Sequence, residues 1–237
     1  MCTATWFTRD DSYELYFNRD ELRTRKEALP PEIRERNNVG FITPIDGDAG
    51  GTWIGVNEYA VCIFLLNLYG PDSSGLNTGG HTSRGRLVLD LMDAANAETV
   101  EERMKVLDLD KFRPFTLGLI SIRTVPRTFI WNGKCLKKHK NPAAPLSSSS
   151  FETKDVITNR IGIFHGLDTA DSPSLADYHR GHNPEKGPYS VCMHRSDAKT
   201  VSLSVIKVAR DEIRFDYTPG NPCERAEVHQ RLLSLRR

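Results

Sequence analysis

Short β-prone runs separated by polar turns dominate this chain. Residues 3–8 and 13–17 are two such runs joined by Arg9-Asp10-Asp11-Ser12, a hairpin that sets Cys2 beside Asn18 and Arg19. The charged stretch 22–38, broken by Pro30-Pro31, is expected to wrap the surface with a short helical turn after Pro31. Gly50-Gly51-Thr52-Trp53-Ile54-Gly55-Val56 opens a second hairpin, turning at Asn57-Glu58-Tyr59. Its return strand, 60–66, is almost continuously apolar, as a strand covered on both faces should be, and Asn67 ends it.

A Gly- and Ser-rich loop at 70–80 leads into Ser83-Arg84-Gly85-Arg86. There Leu87, Leu91 and Met92 take a helical spacing over 83–95, and a second helix is expected over 98–107. Residues 115–122 read as a strand. The hairpin 128–131 and 134–138 is signalled by Asn132-Gly133 between its arms. After the Pro- and Ser-rich stretch 142–150, an amphipathic helix is expected over 151–164. An irregular polar segment follows at 165–188, with a helical turn after Pro173. Strands are expected at 189–194, 201–208 and 213–217, and a closing helix at 224–235. Sequential hairpins with segregated helices indicate α+β with antiparallel sheets, and no linker divides residues 1–237, so a single domain is expected.

Composition narrows the functional classes. A formal charge of +1 argues against a general nucleic-acid or anionic-membrane binder. The 237 residues can bury roughly 70–75% of their unfolded surface without disulfides. Five widely spaced cysteines do not read as a disulfide framework. Charge appears early, at Arg9, Asp10 and Asp11, and no apolar run approaches the ~20 residues of a membrane span. A cytoplasmic location is expected.

Cys2 carries the most pointed chemistry. Loss of Met1 would leave one residue holding a thiol and a free α-amine, a nucleophile with its own base. Arg19 would stabilise charge, Asp20 or Glu21 would orient the amine, and Asn67 could donate to an oxyanion. The plain alternative is an ordinary second residue. The glycines before Trp53 could admit a ligand with Trp53 walling a pocket, or simply turn the chain into a core strand. Arg84 and Arg86 at a helix start, and His194 and Arg195 at a strand end, could bind an anion or be solvated. His179-Arg180-Gly181-His182 and Cys192-Met193-His194 suggest zinc, but the spacings lack a two-plus-two pattern. Cys192 and His194, two apart, would share one strand face, so a polar loop at a pocket rim is expected and no metal.

Met-Cys-Thr, Asn18-Arg19-Asp20-Glu21, Gly50-Gly51-Thr52-Trp53-Ile54-Gly55, Asn67, Ser83-Arg84-Gly85 and the stretch 190–195 together resemble the NRDE family, the transport-and-Golgi-organisation family. The resemblance implies kinship with cysteine N-terminal-nucleophile (Ntn) hydrolases of the penicillin V acylase and bile salt hydrolase type. It thus implies a four-layer αββα sandwich. It also implies that Cys2 is the nucleophile, Arg19 the arginine after the first hairpin, and Asn67 the oxyanion asparagine. Two positions depart from the acylases. Their aspartate three residues beyond the arginine is Leu22 here, so its role falls to Asp20 or Glu21. Their Leu-[Ser/Thr]-Asn segment is Leu146-Ser147-Ser148 here, and a serine cannot reproduce an amide's geometry. The implied activity is cleavage of a small amide, thioester or related acyl substrate without a cofactor. The other implied role is lipid, acyl-coenzyme A or haem binding and trafficking. No Cys-Pro haem motif occurs; Cys223 follows Pro222 instead.

Overall fold

The computed structural model describes residues 1–69, 81–167 and 171–236; the glycine- and serine-rich loop at 70–80 lies outside them. One antiparallel sheet of six strands contains β1 (Cys2–Arg9), β2 (Ser12–Leu22), β10 (Leu146–Ser148), β11 (Ala198–Ala209), β12 (Glu212–Pro219) and β13 (His229–Ser234), ordered β10-β1-β2-β11-β12-β13. The second has seven strands in chain order: β3 (Leu29–Arg36), β4 (Val39–Ile45), β5 (Ile54–Asn57), β6 (Cys62–Asn67), β7 (Phe115–Ile120), β8 (Arg127–Trp131) and β9 (Leu136–Lys140).

Side-chain alternation makes layers of these sheets. Ala4, Trp6, Leu15, Phe17, Ile206 and Phe215 of the first sheet meet Ile42, Ile54, Phe64 and Leu66 of the second in a central core. The opposite face of the second sheet packs Ile63, Leu65 and Leu117 against α1 (Arg84–Leu91) and α2 (Ala97–Val106). The outer face of the first sheet packs Tyr16 and Leu203 against Leu175 and Phe164 of α4 (Ser172–Arg180) and α3 (Thr153–His165). The result is the expected αββα sandwich. No helix among the described residues is long and apolar enough to cross a membrane.

Several local expectations are corrected. Residues 29–36 form a strand rather than a surface wrap with a helical turn. Asn37 and Asn38, with φ of 49° and 60°, make the tight turn into β4, and an edge strand tolerates Pro30-Pro31. The loop at Asn132-Gly133 spans four residues, because Trp131 pairs with Leu136 and Asn132 Oδ1 accepts the Lys134 and Cys135 amides. Pro173 sits in the first turn of a full nine-residue helix, Ser172–Arg180, capped by Asp171, rather than before a single turn. Residues 189–194 do not form a strand; that segment keeps only a bridge between His194 and Lys199. Residues 229–234 pair with β12 as an edge strand, and their alternating exposure replaces the expected closing helix.

The glycine motifs are explained by backbone contact. A Cβ on Gly51 would lie 2.7 Å from the Gly85 carbonyl carbon, and one on Gly85 would lie 2.8 Å from the Thr52 nitrogen. The loop before β5 therefore touches the first turn of α1 directly, and the Thr52 amide donates to Gly85 O at 3.2 Å. Gly51 and Gly85 thus permit the close approach of this loop to the helix.

Candidate active site

The pleat of β2 sorts the four residues Asn18-Arg19-Asp20-Glu21 onto opposite faces. Cys2 and Arg19 are cross-strand partners, and both line a cavity of about 400 Å³ together with Glu21, Trp53, Asn67 and Arg84. Asn18 and Asp20 point the other way. Asn18 is fully buried and its amide donates to His179 O at 2.8 Å and Val191 O at 3.0 Å, stapling α4 to the following segment. Asp20 accepts from Thr200 Oγ1 at 2.7 Å and from Arg160 Nη1 at 3.3 Å.

The Asp20–Arg160 pair has no solvent exposure on either side chain. Such a pair is retained only when further hydrogen bonds satisfy both ions. Arg160 meets this condition, donating to Thr3 Oγ1 at 2.7 Å, to Ser147 Oγ at 3.3 Å and to Ser190 O at 2.8 Å. Asp20 and Glu21 thus differ in role: Asp20 ties the outer face together, while Glu21 lines the cavity and pairs with Arg25 at 3.3 Å.

Arg19 is held from two sides. Its guanidinium lies 4.2 Å from the Trp53 ring centroid and donates to Asp46 Oδ2. Asp46 also accepts from Arg25 at 2.6 Å. Burial pushes the Asp46 carboxyl up, but the Ala49 amide, Arg19 and Arg25 outweigh it and hold it below its ordinary value. Trp53 is 6% exposed and packs in the central core, so it is both core and cavity wall. Its indole Nε1 is buried without a hydrogen-bond partner among the described residues. Arg113 adds a fourth arginine to Arg19, Arg25 and Arg84 around the cavity, against Glu21 and Asp46. Arg84 itself donates to Pro114 O at 2.9 Å. Asn67 donates one side-chain N–H to Tyr69 Oη at 3.0 Å.

Across from β10, where Cys2 pairs with Ser148, the Cys2 amide donates to Ser148 Oγ at 3.0 Å. Burial pushes the Cys2 thiol up, and the neighbouring amino terminus pulls it back only in part. Met1 is buried against Met193 and Ala198 on the Asp20 face. Its amine donates to Asp20 O at 3.1 Å, and the Asp20 amide donates to Met1 O at 2.9 Å.

Not all of the expected residues gather here. Arg86 is exposed and does not line the cavity. Arg195 pairs with Asp197, stacks 4.9 Å over Phe151 and approaches Met1 Sδ on the other face of the sheet. His194 lies apart from Cys2 and instead meets His182, Cys192 and Cys223. The shared strand face that argued against grouping these residues is absent, because 189–194 is not a strand. Sequence reasoning missed Asp46, Arg113, Arg160 and Thr200. Arg160 left one signal: it stands four residues after Val156, on the buried face of α3.

The fold has solved counterparts. Penicillin V acylase from Agrobacterium tumefaciens superposes with a TM-score of 0.53 at 13% identity, covering 97% of this chain and 85% of that one. A mutant of the conjugated bile acid hydrolase from Clostridium perfringens gives 0.56 at 13% identity, covering 100% and 97%. The Caenorhabditis elegans ortholog of N-acylethanolamine-hydrolyzing acid amidase gives 0.62 at 10% identity, covering 87% and 92%. At these identities the likeness is one of fold. No curated protein matches by sequence. The family model for Transport and Golgi organisation 2, however, matches residues 1–162, well over half the chain, and the chain belongs to that family.

Proposed function

We propose that this protein, once Met1 is removed, is a cysteine Ntn-type hydrolase of a small amide, thioester or related acyl bond. The observation that carries the reading is the setting of Cys2. It shares a cavity with Arg19 and Asn67, and its nitrogen is held by Ser148 Oγ at 3.0 Å. In the processed chain that nitrogen is the α-amine. As Sγ bonds to the substrate carbonyl carbon, the thiol proton passes to the amine. The Asn67 N–H not used by Tyr69 donates to the oxyanion. The ammonium then returns its proton to the leaving amine or thiolate, and water cleaves the acyl-thioester with the amine again as base. Loss of Met1 also frees the Asp20 amide, which donates to Met1 O in the unprocessed chain. The four arginines around the cavity favour a substrate that carries a carboxylate or phosphate.

A second reading, binding or trafficking of a lipid or acyl-coenzyme A in the same cavity, is favoured by the buried and hydrogen-bonded Met1 amine. Intact-mass analysis of the purified protein separates the two. Hydrolysis requires loss of Met1 and a single adduct on Cys2 with an acylating probe, absent in Cys2→Ser. A fully active protein that retains Met1, or a Cys2→Ser variant with undiminished activity, leaves only binding.

A further inference from the structure

We propose that His182, Cys192, His194 and Cys223 form a structural zinc site, separate from the Cys2 cavity. Their ligand atoms come from three stretches of chain: the residues just past α4, the irregular segment that follows, and the turn beyond β12. All four atoms lie within 4.8 Å of one another. His182 Nε2 is 3.2 Å from His194 Nε2, which is 3.7 Å from Cys192 Sγ and 3.4 Å from Cys223 Sγ. With Zn–N near 2.05 Å and Zn–S near 2.3 Å, a tetrahedron has N–N edges of about 3.3 Å and N–S edges of about 3.6 Å. The three distances match those edges within a few tenths of an ångström.

Hydrogen bonding does not account for this convergence. A neutral imidazole nitrogen has one proton or one lone pair to offer, yet three ligand-type atoms close on His194 Nε2. A cation shared by all four satisfies every one of them.

The backbone around the ligands is already fixed. The Cys192 amide donates to Gly181 O, and the His194 amide donates to Gly187 O, each at 3.1 Å. Ser190 Oγ lies 2.8 Å from Gly187 O and 2.7 Å from Cys192 O, and the Met193 amide between the ligands donates to Thr200 Oγ1 at 2.8 Å. Beside Cys223, Glu224 pairs with Lys186 at 2.8 Å. Cys192 is buried and the other three are half-buried.

Binding replaces two thiol protons by one Zn²⁺, giving a neutral centre of two thiolates and two imidazoles and releasing two protons to solvent. Two sulfur and two nitrogen ligands in a tetrahedron suit zinc. With all four positions taken by protein, no water is left to activate, so the site is structural. It cross-links a segment that has almost no regular secondary structure and that carries Met193, against which Met1 packs.

The test uses the full chain purified under reducing conditions. Elemental analysis is expected to find about one zinc per chain. Cobalt(II) exchanged into the wild-type protein is expected to give the intense visible absorption of a tetrahedral cobalt-thiolate centre. Cys223→Ser and His182→Gln are each expected to lower zinc affinity by at least roughly 10–100-fold, the cost of losing even an outer-shell partner. The cobalt measurement needs no variant, so a misfolded mutant does not blunt the test. A zinc-free protein that gives no such cobalt spectrum overturns the assignment. So does zinc content undiminished in both variants, or a metal-free protein whose Cys192 and Cys223 are joined in a disulfide.

Discussion

Acidification should destabilise this protein through one buried histidine. His179 has no solvent exposure, its Nε2 lies 2.8 Å from Thr5 Oγ1, and its ring stacks 5.8 Å from that of Tyr16. Burial, with a smaller push from Arg160, lowers its pKa to about 3 from an ordinary 6.5. The folded state therefore holds the ring neutral while the unfolded chain takes up a proton. Stability is full above the unfolded pKa and is lost as the pH falls from about 6.5 toward 3. At pH 5 the loss is RT ln(1 + 10^1.5), about 2 kcal/mol, against about 0.2 kcal/mol at pH 7. That figure is insensitive to the folded pKa so long as it stays well below 5. Urea unfolding of the wild type and of His179→Gln at both pH values measures it. The variant carries its own cost, but that cost cancels in the difference between the two pH values. The wild type should lose about 2 kcal/mol more than the variant on going from pH 7 to pH 5. Equal losses in both proteins would refute the reasoning.

Other perturbations have equally definite outcomes. Arg160→Met strands the Asp20 carboxylate in a site without solvent and should cost about 3–5 kcal/mol by urea unfolding. The double variant with Asp20→Asn should cost less than Arg160→Met alone. Gly85→Ala drives a methyl group to 2.8 Å from the Thr52 nitrogen and should cost on the order of 1–3 kcal/mol, read as a lowered Tm.

The central hairpins were legible because their apolar runs are long and their turns polar. The apolar run at 60–66 read as a buried strand and forms one over Cys62–Asn67, and the short polar turn placed Cys2 beside Asn18 and Arg19. Three of the four edge strands, β3, β10 and β13, were not legible, while β9 was, because Asn132-Gly133 marks its turn. β3 and β13 each have one strand neighbour; β3 carries charges and two prolines, and β13 is mostly polar with an arginine among its residues, so their sequences resemble surface loops or helices. At the candidate site, residues adjacent in sequence were found, but partners brought by tertiary contact were not. Asp46 lies on a loop with no periodicity, and Thr200 differs in no local way from its neighbours on β11. Cys223 lies 29 positions from His194, too far for spacing alone to pair them.

The first sheet joins the two ends of the chain: β2 has β1 on one side and β11 on the other, with Arg19 paired to Ser202. During synthesis at about 5–20 residues per second, β11 emerges on the order of ten to tens of seconds after the N-terminal hairpin. Until then half of that hairpin's hydrogen-bonding edge is open, and Met1 lacks Met193 and Ala198, which later bury it. The removal of Met1 that the proposed chemistry requires would thus meet the least obstruction before β11 docks and Met193 and Ala198 cover it.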